Sequence, residues 1–294
     1  MNGSVWYLLD DEDRFLYHYT SSAVLLDYII PTGSIRFLPF KLLNDPRESY
    51  EWPLSWHSRE GDFPDDMSGI EEAVQSALKS NWCVGCFVRD SDESVMTRER
   101  EKQGADLLIA PALRGHSHPR MWAQYGDNHA GVCLVFDRAI LTRLIGNFCS
   151  ENLLSVRYGA VEYSVPRLLP KLDEDDPLLV FLDELRSLGV NEYAQRHVER
   201  HYRKLYFHKS SDWENEMEYR FSIGSSDSEP KYFQVAGALK GVLMGDKINP
   251  EHRSRVAEFA MENTVEIADM SWSAGFPQPH PLHPRLVLNE TQKE

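Results

Sequence analysis

The most regular polar–apolar pattern in the chain is the run Trp213-Glu214-Asn215-Glu216-Met217-Glu218-Tyr219-Arg220-Phe221. Trp213, Met217, Tyr219 and Phe221 fall on odd positions, and Glu214, Glu216, Glu218 and Arg220 on even ones. Alternation of period two predicts a strand over 213–223, half-buried through its aromatic face. Side chains two apart in a strand share a face at a spacing of about 7 Å. Glu216, Glu218 and Arg220 are thereby expected as a row of two carboxylates and a guanidinium. Two readings of that row stand: it meets water, as polar faces of antiparallel sheets do, or it lines a cleft.

Further apolar runs predict strands at 15–20, 34–38, 82–88, 231–235, 239–244 and 264–270, with 131–136 the cleanest buried one. Helical spacing predicts a helix over 23–30, capped by Ser21 or Ser22, with Val24, Leu25, Tyr28 and Ile29 facing inward. Ser68-Gly69-Ile70-Glu71 matches a capping box and opens a helix carrying Ile70, Ala73, Val74, Ala77 and Leu78. Helices are also expected at 138–145, at 191–207 and after Pro250. The segment 43–48 reads as a polar turn, 55–67 as a polar loop, 153–163 as a hairpin turning at Gly159, and 277–284 as an irregular stretch. Residues 89–120 carry no period and read as a lid or insertion. Strands and helices mix without strict βαβ alternation, so the expected class is α+β, one domain over 1–294 with an irregular tail at 275–294.

Composition narrows the partners. Lys and Arg number 31 and Asp and Glu 46, a net charge of −15. Such a surface repels phosphate backbones and anionic lipids at long range, which disfavours broad nucleic-acid or membrane binding. No apolar run is long enough for a membrane span. The first residues lack the basic and apolar regions of an export signal, so the expected compartment is the cytoplasm, with Cys83, Cys86, Cys133 and Cys149 reduced. Cys83-Val84-Gly85-Cys86 has no second close pair to complete a zinc site and reads as core. His197-Val198-Glu199-Arg200-His201 lacks the Glu directly after its first His that zinc proteases use, and reads as a structural or surface pair. His116-Ser117-His118 reads as loop. Gly-x-Ser-x-Gly, P-loop and Gly-x-Gly-x-x-Gly sequences are absent.

What remains is a set of polar residues punctuating apolar segments. His18 ends the first strand with Tyr19 and Thr20; Asn44 and Asp45 sit in a turn; Trp122 and Tyr125 flank another; Glu216 and Glu218 share a strand face. Any one of them reads more simply as packing or capping. Four such places in order point to one shared cleft.

These blocks also carry a resemblance. Leu16-Tyr17-His18-Tyr19-Thr20-Ser21, Asn44-Asp45-Pro46-Arg47-Glu48, Met121-Trp122-Ala123-Gln124-Tyr125 with Gly131-Val132-Cys133-Leu134-Val135-Phe136, and Lys209 followed by Trp213, Glu216, Glu218 and Arg220 resemble the bacterial domain of unknown function 2971, over residues 14–245. That resemblance implies no activity. A looser one does: a strand ending in His-Tyr-Thr, a mid-chain aromatic and a late Glu-x-Glu are similar to the layout of ADP-ribosyltransferases, in which a split pair of sheets grips NAD. The likeness implies that His18 bonds a ribose hydroxyl, that Tyr125 or Trp122 stacks on nicotinamide, and that Glu218 contacts the 2′-hydroxyl of the nicotinamide ribose. Glu216 would orient the nucleophile, and Arg220 would hold a carboxylate ionised or meet a phosphate. Tyr19, Thr20, Asn44 and Asp45 complete the NAD-contacting set. A Ser-Thr-Ser strand before the mid-chain aromatic is missing, which argues against the arginine-modifying subclass.

The expected function is therefore an NAD-consuming enzyme, transferase or glycohydrolase, with NAD as substrate, no metal and a macromolecular acceptor, in the role of a toxin or phage-defence effector. Two alternatives stay open. One is a non-catalytic sensor or partner-binding module, working through a protein partner or a homo-oligomer. The other is a metal-dependent hydrolase or nuclease with Asp45, Glu48, Glu216 and Glu218 around Mg²⁺.

Overall fold

Strand pairing in the computed structural model converges on the apolar run Trp82–Val88, and the structure describes residues 14–59, 61–91, 114–165, 175–225, 227–273 and 275–291. In chain order the strands are β1 (Phe15–Thr20), β2 (Ser34–Pro39), β3 (Ser55–His57), β4 (Trp82–Val88), β5 (Val132–Asp137), β6 (Ser155–Ala160), β7 (Glu162–Ser164), β8 (Leu179–Phe181), β9 (His208–Ser210), β10 (Glu218–Gly224), β11 (Lys231–Gln234), β12 (Leu239–Met244), β13 (Glu266–Ser273) and β14 (Phe276–Leu282). The helices are α1 (22–32), α2 (Pro46–Ser49), α3 (67–80), α4 (Pro119–Gln124), α5 (Arg138–Glu151), α6 (Leu182–Leu188), α7 (Val190–Tyr206), α8 (Pro250–Asn263) and α9 (Pro284–Thr291). This is an α+β fold with a mixed central sheet, in which β12 and β13 run parallel and the other neighbours antiparallel.

The sheet forks at β4. β10 pairs with β4 along its whole length, from Glu218↔Val88 to Gly224↔Trp82, and so occupies one edge. The other edge is shared: β1 touches it only at Tyr17↔Val88, and β2 only at Leu38↔Val84 and Pro39↔Cys83. Gly85, Cys86 and Phe87 lie between the two prongs, with no strand partner on that side among the described residues. Gly85 is needed there because a side chain would meet the Phe37 ring at 2.1 Å, and that ring lies across β4. β1 continues into β5, β12, β13 and β14, while β2 carries β11.

Packing holds the fork in place from three sides. One core gathers Phe37, Phe87, Phe136 and Phe221 with Leu141 and Ile145 of α5 and Val256 and Ala260 of α8. A second joins Phe40, Trp82, Val74 and Leu78 to Tyr193, Val198 and Tyr206 of α7. A third, on the opposite face of β1, joins Phe15, Tyr17 and Tyr19 to Met121 and Trp122 of α4. β1 is thus buried on both faces, as a central strand must be.

Several expectations are corrected. Residues 211–216 form a 3-10 turn rather than strand, capped by Ser210, and Met217 takes a left-handed φ of 49° before β10 begins at Glu218. Residues 153–163 are no hairpin: β6 pairs with β10 and β7 with β9. The polar loop 55–67 contains β3, which pairs with β8. The tail at 277–284 is ordered as β14, in register with β13 from Ile267↔Leu282 to Ser273↔Phe276, and α9 follows it. Proline cannot donate to a ladder, so pairing runs through Phe276, Gln278, His280 and Leu282. The nitrogens of Pro277, Pro279 and Pro281 then lie on the outward edge, which closes that end of the sheet to further strands. Most of the lid or insertion expected at 89–120 lies outside the described residues. No described helix is long and apolar enough to cross a membrane.

Candidate functional site

A cleft of about 310 Å³ opens where β1 and β2 part over β4. That volume is at the small end of ligand clefts, which run from roughly 300 to 1,000 Å³. Leu38, Leu43, Val84, Phe87 and Met121 line its sides, and Glu48, Lys209, Glu216, Glu218 and Arg220 also face it. We refer to these five charged groups as its floor, because each is buried to 6% exposure or less.

The floor is one connected ion network. Arg220 donates from Nε to Glu218 Oε1 at 2.6 Å and from Nη2 to Oε2 at 3.0 Å, a fork-on-fork pair within one strand face. Its Nη1 donates to the Tyr206 carbonyl at 2.9 Å and also pairs with Glu48. Lys209 Nζ donates to Glu216 Oε2 at 2.7 Å and stands 3.2 Å from Glu218 Oε2. Tyr125 donates to Glu216 Oε1 at 2.7 Å and accepts from Asn44 Nδ2 at 2.6 Å. Three elements of different sequence origin therefore hold the two neighbouring acids: β9 through Lys209, β10 through Arg220 and the end of α4 through Tyr125.

Electrostatics follow from burial and these partners. Burial alone would raise the Glu218 carboxyl, but Arg220 and Lys209 outweigh it and hold it down at about 2. Glu48 goes the other way: burial pushes its carboxyl above the usual range, Arg220 opposes this, and the Glu218 charge adds to the rise. Burial works against the Lys209 ammonium, yet Glu218, Glu48 and Glu216 more than restore it, so it stays protonated. A fixed ammonium cannot serve as a nucleophile or Schiff base.

His18 faces the cleft from the β1 prong. Its Nδ1 lies 3.1 Å from the Cys86 carbonyl, in the unpaired stretch of β4. A carbonyl only accepts, so Nδ1 carries the proton. Burial lowers the His18 pKa, which keeps the ring neutral. Nε2 is then an acceptor lone pair, suited to a ligand hydroxyl.

Of the residues singled out from sequence, His18, Tyr19, Asn44, Tyr125, Glu216, Glu218 and Arg220 line the cleft together. Three do not. Trp122 is 1% exposed, donates from Nε1 to the His116 carbonyl at 2.8 Å and meets the Tyr19 ring edge-on, so it props the wall from behind. Asp45 accepts from the Arg47 amide at 3.0 Å and caps α2, the helix that presents Glu48. Thr20 lies at the end of β1, where its carbonyl is packed against Gly131. Of the two readings of the acidic row, the solvated face does not hold, since Glu216 and Glu218 are each 4% exposed.

Sequence reasoning gave no NAD-site role to Glu48, Lys209 or Cys86. Lys209 stood in the quoted pattern, but its place depends on β9 pairing with β7 at Tyr163↔Lys209, which has no local signature. Cys86 sits directly opposite Arg220 in the β4–β10 ladder. All four cysteines are free. Of the two readings of the histidine pair, the structural one holds: His197 and His201 are buried with ring centroids 4.7 Å apart, and His197 Nε2 lies 2.8 Å from the Pro177 carbonyl.

Residues 121–221 match a family described as "Protein of unknown function (DUF2971)". Over this segment the chain is similar to that family. The match is narrower than the 14–245 stretch of the resemblance, yet it contains Tyr125, Lys209, Glu216, Glu218 and Arg220. His18, Asn44 and Glu48 reach the same cleft from outside it. No curated protein and no solved structure matches the chain.

Proposed function

We propose that the cleft binds NAD and that the protein consumes it by breaking the nicotinamide–ribose bond, as an ADP-ribosyltransferase or NAD glycohydrolase. The observation that carries this reading is the charge balance of the floor. There, among the described residues, Glu48, Glu216 and Glu218 face Lys209 and Arg220, which leaves one negative charge in excess when all five are ionised. A cationic nicotinamide ring, and the positive charge that develops on the ribose as the bond breaks, both suit such a place. At about 4 Å and the effective dielectric of a partly buried site, one unit charge is worth roughly 4 kcal/mol. That is the size of effect a preorganised electrostatic contact supplies in catalysis.

The remaining parts have compatible roles. The apolar sides keep water from the ring. In this reading His18 Nε2 accepts from a ribose hydroxyl, Tyr125 flanks the ring, and Glu216, held by Tyr125 and Lys209, orients a nucleophile. The split of β1 from β2 is the kind of opening the ADP-ribosyltransferase layout uses, and the likeness remains one of analogy. The acids that a hydrolase would place around Mg²⁺ are engaged elsewhere. Asp45 caps α2, and Glu48, Glu216 and Glu218 already hold Arg220 and Lys209. A second reading, a sensor that binds its ligand without turning it over, draws on the fact that each of these floor carboxylates is already paired within the chain.

The deciding experiment is incubation of the protein with NAD and measurement of free nicotinamide. Release supports the enzymatic reading. Binding without release supports the sensor, and neither binding nor release removes both. A pH dependence follows from Glu48. Its carboxyl titrates above the usual range, so the excess charge is lost as pH falls through that raised value. Nicotinamide release should therefore drop on the acid side earlier than for an ordinary carboxylate. Glu48→Gln should hold the rate at its low-pH level at every pH, as read from kcat profiles.

A further inference from the structure

Among the described residues three cations line the cleft, and two of them, Lys209 and Arg220, are occupied by the acids of the floor. The third is Arg36. On β2 its neighbours Ile35 and Phe37 are buried in the core, while Arg36 is exposed and borders the cleft. Among the described residues its guanidinium has no hydrogen-bond or ion-pair partner. In a chain of net charge −15, an arginine at a cleft with no described acid paired to it is left open to an anionic ligand. Continuing the β2 register from Leu38↔Val84 would bring Arg36 opposite Cys86, the residue whose carbonyl faces His18. The β2 prong therefore presents this cation across the fork from the histidine.

The cleft is thus polarised, with excess negative charge on its buried floor and an unpaired positive charge at its exposed rim. We propose that Arg36 recognises the 5′-phosphate of the ligand, so that the cleft selects a phosphorylated nicotinamide nucleotide over the nucleoside or the free base. This rests on the NAD reading above. A nicotinamide nucleotide has the matching polarity, a cationic ring at one end and a phosphate at the other. A guanidinium forks onto phosphate oxygens, with directional bonds that a lysine ammonium does not reproduce. The neighbouring strand offers a surface beyond the phosphate: Tyr232 is in register with Arg36 on β11 and is 60% exposed. The second half of a dinucleotide can lie against it.

The test is calorimetric titration of the wild-type chain, Arg36→Ala and Arg36→Lys with nicotinamide riboside, nicotinamide mononucleotide, NAD and ADP-ribose. Wild type should bind the mononucleotide at least about tenfold more tightly than the riboside, the effect of a charge-assisted hydrogen bond at an exposed site. Arg36→Ala should bring the two ligands to similar affinity, and Arg36→Lys should recover part of the difference. The preference should weaken with added salt, because the site is open to solvent. Equal loss for riboside and mononucleotide, or no loss for either, overturns the assignment. If ADP-ribose binds in an Arg36-dependent way while no nicotinamide ligand does, the phosphate assignment stands and the nicotinamide reading falls. If wild type binds none of the phosphorylated ligands, the phosphate assignment falls. Melting curves of the variants confirm that folding is unchanged, as expected for an exposed side chain.

Discussion

Glu218→Gln should reduce nicotinamide release from NAD by about a hundredfold or more, with KM little changed. The substitution keeps the shape of the side chain and one acceptor toward Arg220, but removes the charge. Glu48 and Glu216 then stand against Lys209 and Arg220 in equal number, and the excess negative charge of the floor is gone. A contact that acts mainly on charge developing in the transition state appears in kcat rather than in KM, and its loss costs about 3 kcal/mol. Steady-state kinetics on the variant measure this directly. A rate within about threefold of wild type would remove Glu218 from the chemistry and leave it a structural ion.

Arg220→Met should destabilise the fold by roughly 3–5 kcal/mol, because it takes the ion-pair partner from buried Glu48 and leaves buried Glu218 with Lys209 alone. Arg220 is 1% exposed, and both Glu218 and Glu48 depend on it, as does the Tyr206 carbonyl at the end of α7. For a chain of this size that loss lowers Tm on the order of 10 °C. The pH behaviour gives a second signature. In the wild type, Glu218 titrates at about 2, below its unfolded value, so its stabilising contribution is complete above the ordinary carboxylate range and is lost as pH falls toward 2. Without Arg220, burial acts with less opposition and both acids take up protons more readily. The deficit of the variant should therefore shrink between about pH 7 and pH 4, which thermal unfolding across that window would show. Adding Glu48→Gln should return part of the stability, since it removes the charge that has lost its ion-pair partner. A variant as stable as wild type would mean that the network is weakly coupled to folding.

The two experiments separate roles that the same few residues share. Glu218→Gln asks whether the floor does chemistry, and Arg220→Met asks whether it holds the fork together. A loss of rate without a loss of stability in the first places Glu218 on the ligand rather than in the scaffold.

Much of this protein is legible along the chain, for a local reason. Apolar runs such as 15–20, 82–88 and 131–136 leave a strand little alternative, because nearly every residue must be buried and few polar groups interrupt the ladder. They became β1, β4 and β5. The α5 and α7 helices follow equally from spacing. The polar residues that punctuate these elements could also be named, and seven of them share a cleft. What spacing could not show is which alternation belongs to a strand. Trp213 to Met217 continues the alternation of Glu218 to Phe221 with one break at Asn215, yet it turns, with Glu216 tied to Lys209 and Tyr125. Nor could it show that the acidic row is buried. A carboxylate on a strand reads as solvent-facing until its cations are placed, and Lys209 reaches Glu216 and Glu218 only because β9 pairs with β7. The tertiary structure alone decided that β1 and β2 share one edge of β4 and part between Val84 and Val88. That parting depends on contacts between residues far apart in the chain, and it sets His18, Arg36 and the acids around one space.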